Sequence, residues 1–226
     1  QDTQHQELSF LRNEMCIRGK KMKKIVICGI PMKESVDQVV YVSEDNSLPA
    51  AERPVRFPIN AFLEKTLKPS DELKVVLLVK KDSHGFHEQN IEFFKKELEQ
   101  ANAVAKAPVS YSVIDTDFSQ TKQVHEQLMG ALVDEIEIGS HIIVDTTYGP
   151  KDLPVVIFTA LNFAEKFLNC SVDNIVYGQA SFVDGHAVNT KLCDMIPLYC
   201  LGSITNTIRS VEPDKAKSML KTLLSI

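Results

Sequence analysis

SHIIVDTTYGPKDLPVVIFTALNFAEKFLN, residues 140–169, is the stretch on which the fold turns. Residues 140–144 (Ser-His-Ile-Ile-Val) form a short apolar run ending at Asp145, the signature of a strand buried on both faces. A turn follows, rich in threonine, glycine and proline. Residues 152–169 then read as a helix that is apolar nearly all round: Leu153, Val155, Val156, Ile157, Phe158, Leu161, Phe163 and Phe167. Such a helix is expected to be buried on several sides, against a sheet and against a second subunit.

The same unit recurs on either side. Residues 24–29 and 73–79 are continuous apolar runs, and 109–114 alternate; each reads as a strand. Residues 38–42 and 174–180 read as further short strands. Residues 58–68, 87–101 and 119–137 carry apolar residues at helical spacing. Ile91, Phe94 and Leu98 mark one such face, and Val124, Leu128, Leu132 and Ile136 another. Residues 43–58 carry three prolines and read as a loop, whereas 190–201 and 213–225 are expected as closing helices. Strands alternating with helices predict an α/β domain with a mainly parallel sheet flanked by helices. Ligands of such sheets sit beyond the carboxyl ends of the strands. The loops at 29–35, 80–86, 115–118 and 145–151 are therefore the places to look.

Composition narrows the classes. The chain has 226 residues, 44% of them apolar and 24% charged, which describes an ordinary globular protein. That length buries a core without disulfides or a structural metal. Five cysteines, an odd count with no CxxC pair, read as small hydrophobes in a reducing cytosol. The net charge of −5 argues against a duplex nucleic acid partner, while leaving room for a local basic pocket. No run of 18 apolar residues is long enough to span a bilayer. The chain begins at Gln1, and Met22 opens a natural domain start. Residues 1–22 are expected to be a helical, basic extension or linker, and 23–226 a single folded domain.

Two loops carry phosphate-binding chemistry. The loop 145–151 offers two hydroxyls, Gly149 for close backbone approach, a helix start and the cation Lys151. A capped strand-to-helix turn with a surface lysine has the same residues. The loop after the first strand holds Gly29, Pro31, Lys33 and Ser35, which also suit a simple turn. It is neither GxGxxG nor a Walker loop, so NAD, FAD and ATP hydrolysis lack their ordinary signatures. His84 and His87 are too few to hold a metal. No motif assigns a catalytic residue, and no cofactor or metal is expected.

The motif Asp145-x-Thr147-Tyr148-Gly149-x-Lys151-x-x-Pro154, followed by Ile175-Val-Tyr177-Gly178, resembles that of the CARF domains. These are the CRISPR-associated Rossmann-fold sensors of type III CRISPR antiviral systems. The resemblance covers roughly residues 23–208. Tyr148 replaces a frequent histidine, and Lys151 a common arginine. It implies a Rossmann-like homodimer that binds a cyclic oligoadenylate second messenger, with cyclic tetra-adenylate favoured, across its two-fold axis. By carry-over, Gly29, Ile30, Pro31, Met32 and Lys33 would flank the ligand on one side. Thr146, Thr147, Tyr148, Gly149 and Lys151 would flank it on the other. Adenine pockets are expected around Asp82 and Ser83, and around Asp115 and Thr116. An effector or membrane segment upstream of Gln1 is expected to carry the output, which would make this the cytosolic part. Two alternatives stand beside the sensor. One is a ring nuclease that cleaves the ligand through 2′-OH attack. The other is a nucleotide-phosphate-binding Rossmann-like enzyme.

Overall fold

The computed structural model describes residues 21–43, 48–81, 83–117, 119–208 and 212–225. Its strands are β1 (Met22–Gly29), β2 (Val42–Ser43), β3 (Asp71–Val79), β4 (Val109–Asp115), β5 (His141–Asp145), β6 (Ser171–Val183) and β7 (His186–Asp194). Its helices are α1 (Pro58–Thr66), α2 (Phe86–Ala101), α3 (Lys122–Glu135), α4 (Leu153–Phe167), α5 (Ile196–Thr207) and α6 (Pro213–Leu223). The seven strands form one sheet in the order β2-β7-β6-β5-β1-β3-β4. All neighbours are parallel except the β6–β7 pair. The protein is an α/β, Rossmann-like fold.

The centre of the sheet explains its apolar strands. β1 is flanked by β3, with Val26 opposite Val75, and by β5, with Val26 opposite Ile143. Strand side chains alternate between faces. Val26 and Cys28 therefore join Phe57, Leu63, Phe94 and Leu98 under α1 and α2. Ile25 and Ile27 join Leu128, Leu132, Ile157 and Leu161 under α3 and α4. A strand clothed on both faces must be apolar at every position, and β1, β3 and β5 are nearly so.

The chain builds outward from β1 through β3 to β4, and α3 then carries it back to β5 on the other side of β1. The strand order thus reverses between β1 and β5, which opens a crevice at their carboxyl ends.

Three expectations are corrected. Residues 190–201 are not one helix: His186–Asp194 is an antiparallel strand, and the helix begins at Ile196. The strand expected at 174–180 runs from Ser171 to Val183. The two strands turn through Asp184 and Gly185, both at positive φ, 50° and 82°, a tight hairpin that this dipeptide favours. The strand expected at 38–42 reduces to a bridge between Val39 and Val55 and the two residues of β2 on β7. Helix α4 buries one stripe, Leu153, Val156, Ile157, Ala160, Leu161 and Ala164, while Val155 and Phe167 face solvent. The helical reading of residues 1–20 lies outside the described residues.

Candidate functional site

A cavity of about 1060 Å³ opens at the carboxyl ends of β1 and β5, under the β6–β7 hairpin. That volume suits a small-molecule site. Three walls form it, and each is fixed by specific bonds.

The first wall is the loop after β1. Ile30 N–H bonds Leu78 O at 2.9 Å, continuing the sheet. The Asn90 amide, buried on α2, donates to Pro31 O at 2.8 Å and Lys33 O at 2.9 Å. Ile30, Pro31, Met32 and Lys33 line the cavity on this platform. Gly29 lies just beneath. A Cβ there would run into the Tyr148 carbonyl oxygen, so only glycine lets the two loops meet.

The second wall is the loop after β5. The Asp145 carboxylate is buried under it and accepts from Thr147 N–H at 2.8 Å. The Cys28 thiol donates to the same carboxylate at 3.9 Å. Burial pushes the Asp145 carboxyl up to about 6, and the bonds from Thr147 pull against that rise. The threonine hydroxyls brace the loop. Thr146 donates to Val176 O at 3.2 Å, and Thr147 accepts from Gly178 N–H at 2.8 Å. Tyr148 donates its hydroxyl to Arg56 O at 2.7 Å and sets its ring edge-on to Phe57. Arg56 N–H in turn bonds the buried Glu97 at 2.9 Å. Burial drives the Tyr148 phenol far above its ordinary range. Its oxygen is therefore a structural donor and not a base. Gly149, at φ 125°, takes a conformation that suits glycine, and a Cβ there would strike Leu153.

The third wall is the hairpin, through Tyr177, Gly178, Ala180, Phe182 and His186. It is tied to the first wall. Asp37 accepts from Ala187 N–H at 2.7 Å, and His186 Nδ1 lies 3.6 Å from the same carboxylate. The Ala187 bond holds the Asp37 carboxyl below its usual range. Lys33 Nζ sits 5.3 Å from the centre of the Phe182 ring, within cation–π reach.

A second cavity of about 450 Å³ opens beside α3, beyond the ends of β3 and β4. Lys80 lines both cavities.

The expected site residues divide accordingly. Ile30, Pro31, Met32, Lys33, Thr147, Tyr148 and Gly149 meet around the main cavity. Asp115 and Thr116 line the second. Thr146 is bonded to β6, Lys151 is exposed at the start of α4 outside both linings, and Ser83 lines neither. Asp82 lies outside the described residues. Lys80 falls in a loop the sequence singled out, without a role of its own, whereas Tyr41, Asn90, Phe182 and His186 were missed. The Asp184-Gly185 turn was the one signal that could have placed the hairpin residues.

Among the described residues, no three His, Cys, Asp or Glu side chains are grouped to hold a metal. No helix among them is long and apolar enough to cross a membrane. Neither a protein-family model nor a curated protein matches this chain.

Proposed function

We propose that the chain is a sensor domain for a cyclic oligoadenylate, with cyclic tetra-adenylate as the favoured ring, held across the two-fold axis of a homodimer. The observation that carries this reading is the main cavity at the β1/β5 crevice, with Lys33 and Lys80 in its lining beside Tyr177 and Phe182. Phosphates call for cations and exposed backbone N–H groups, and adenines call for flat aromatic surfaces. A tetra-adenylate has even symmetry, so two identical half-sites each take half of it. The net charge of −5 does not oppose this, because lysines in a cleft focus their field locally. The output would pass to an effector or membrane segment joined to this domain.

The test is gel filtration of the purified protein with cyclic tetra-adenylate, followed by chromatography of the co-eluting nucleotide. Intact ring on a dimer supports the sensor. No bound nucleotide, with this ring or with cyclic hexa-adenylate, removes the reading.

One observation favours the ring nuclease as a second reading. His186 stands at the cavity with Asp37 beside one ring nitrogen. Its other nitrogen would take the proton of a ribose 2′-OH as that oxygen attacks the adjacent phosphorus. The 5′ oxygen would leave with a proton from the imidazolium, giving a linear 2′,3′-cyclic phosphate. Linear product from the wild type but not from His186→Ala would establish this chemistry.

A further inference from the structure

Asn90 stands on α2 behind the main cavity and lines none of it, yet it fixes the loop that makes the first wall. Its amide nitrogen donates to Pro31 O at 2.8 Å and to Lys33 O at 2.9 Å. The amide of Gln89, next to it and exposed, lies 3.5 Å from Glu34 O. The carbonyl oxygens of this loop, which would repel an anion, are thus held against α2. Its N–H groups are not engaged: those of Met32, Lys33, Glu34 and Ser35 have no acceptor among the described residues. Met32, Lys33 and Ser35 line the cavity. A run of unpaired N–H groups beside a lysine is electropositive and calls for an acceptor from outside the chain. Asn90 also carries a cost. It is 1% exposed, and its Oδ1 is buried without a hydrogen-bond partner. A half-satisfied buried amide weakens a fold, and positions that break a folding rule are where function is expected.

We infer that Asn90 is a positioning residue: it holds the loop after β1 with its carbonyls turned back onto α2 and its N–H groups offered to an anionic group in the main cavity. It touches no ligand itself. The inference rests on the main cavity taking an anionic ligand, as the sensor reading has it; it does not require that ligand to be a cyclic oligoadenylate.

The probe is inorganic pyrophosphate, titrated into the full chain and followed by NMR with the amide resonances assigned. With wild type, the resonances of Met32, Lys33, Glu34 and Ser35 are expected to move together. Absence of that movement overturns the inference. Asn90→Ala removes the donor and is expected to bind about tenfold or more weakly, the loss of a hydrogen bond to a charged group, with the four resonances no longer moving. Asn90→Ser keeps one donor and is expected to lie between Asn90→Ala and wild type; it also serves if the alanine variant does not fold. Each variant is read well below its own melting temperature. Variants that melt earlier but bind pyrophosphate with wild-type affinity, moving the same four resonances, show that Asn90 only supports the fold, and they overturn the inference. The titration is then repeated with cyclic tetra-adenylate. A ring that binds wild type without moving those four resonances overturns the role of Asn90 and leaves the sensor reading in place. Pyrophosphate bound as described, with no binding of the ring, leaves Asn90 its role and removes the sensor.

Discussion

Asp145 lies beneath the cavity floor with its carboxylate out of water, and its pKa is raised from 3.8 to about 6 by that burial. A carboxyl whose folded pKa exceeds its unfolded value binds its proton more tightly in the folded state. Its contribution to stability is therefore fully present below about pH 4 and is lost as pH rises through about 6. The size is on the order of 3 kcal/mol, from roughly two pH units at 1.36 kcal/mol each. Asp145→Asn keeps the acceptor for Thr147 N–H and removes the titration. Urea midpoints at pH 4, 5.5 and 7 should show the variant gaining on wild type as pH rises; a constant gap would mean that Asp145 titrates normally. Tyr148 supplies a contrasting case in the same loop. Its ring lines the cavity, but its hydroxyl proton is already committed to Arg56 O. Tyr148→Phe should therefore cost about 1–3 kcal/mol in chemical denaturation, because a partly buried carbonyl loses its donor. Its affinity for cyclic tetra-adenylate should stay at the wild-type value. A weakened affinity with unchanged stability would place the phenol on the ligand instead.

The β6–β7 hairpin is the element that converts an open sheet edge into a walled site. β6 pairs with β5 and β7 with β2, and Thr190 donates to Val40 O at 2.6 Å; the end of the hairpin is held to the loop after β1 by the Asp37–Ala187 bond, the His186 contact and the Lys33–Phe182 contact. Asp37→Ala should leave the sheet intact while the Ala187 amide loses protection in hydrogen exchange. Protection equal to wild type would show that the hairpin needs no such tie. Phe182→Ala should weaken ligand binding by about 1–3 kcal/mol if a base stacks there, and calorimetry reads that directly. This hairpin is also where the sequence was least legible. β1, β3 and β5 announced themselves because both faces are covered, and burial on two sides leaves an uninterrupted apolar run. β7 has one covered face and an antiparallel partner, so Asn189-Thr-Lys-Leu-Cys-Asp194 shows only mild alternation. It also runs straight into the apolar residues of α5, which blurred the boundary. The site was legible in the same proportion. Ile30 to Lys33 and Thr147 to Gly149, on the loops leaving β1 and β5, were readable as neighbours around one crevice because topology puts loop ends there, although Lys151 of the same loop lies outside it. Asn90 and Tyr41 were not, because nothing local to a helix or a loop says what it will meet across the sheet. Thr146 and Thr147 looked like free donors, and tertiary bonding to β6 uses both hydroxyls.

At the scale of the molecule, the apolar surface is unevenly spread. Val155 and Phe167 on α4 are 67% and 69% exposed, and Leu198 and Leu201 on α5 are 52% and 42% exposed. α5 adjoins α4 through the Phe158–Tyr199 ring contact, and α6 rests on α5 with no buried residue of its own. A monomer rarely leaves so many large apolar side chains on neighbouring helices. Val155 stands in the first turn of α4, just past Pro150 at the cavity wall. A second copy covering this face would therefore bring its own cavity close, as a ligand held on a two-fold axis requires. Each large apolar side chain removed from water on assembly contributes about 1.5–3 kcal/mol, and a glutamate forced into that contact reverses the gain. Val155→Glu, already exposed in the single chain, should fold normally and sediment as a monomer where the proposed sensor calls for a wild-type dimer. It should also bind cyclic tetra-adenylate far more weakly, because only half of the ring's phosphates and bases would find partners. A monomeric variant with undiminished affinity would confine the whole ligand to one chain and end the symmetric reading. A dimeric variant would move the interface to another face.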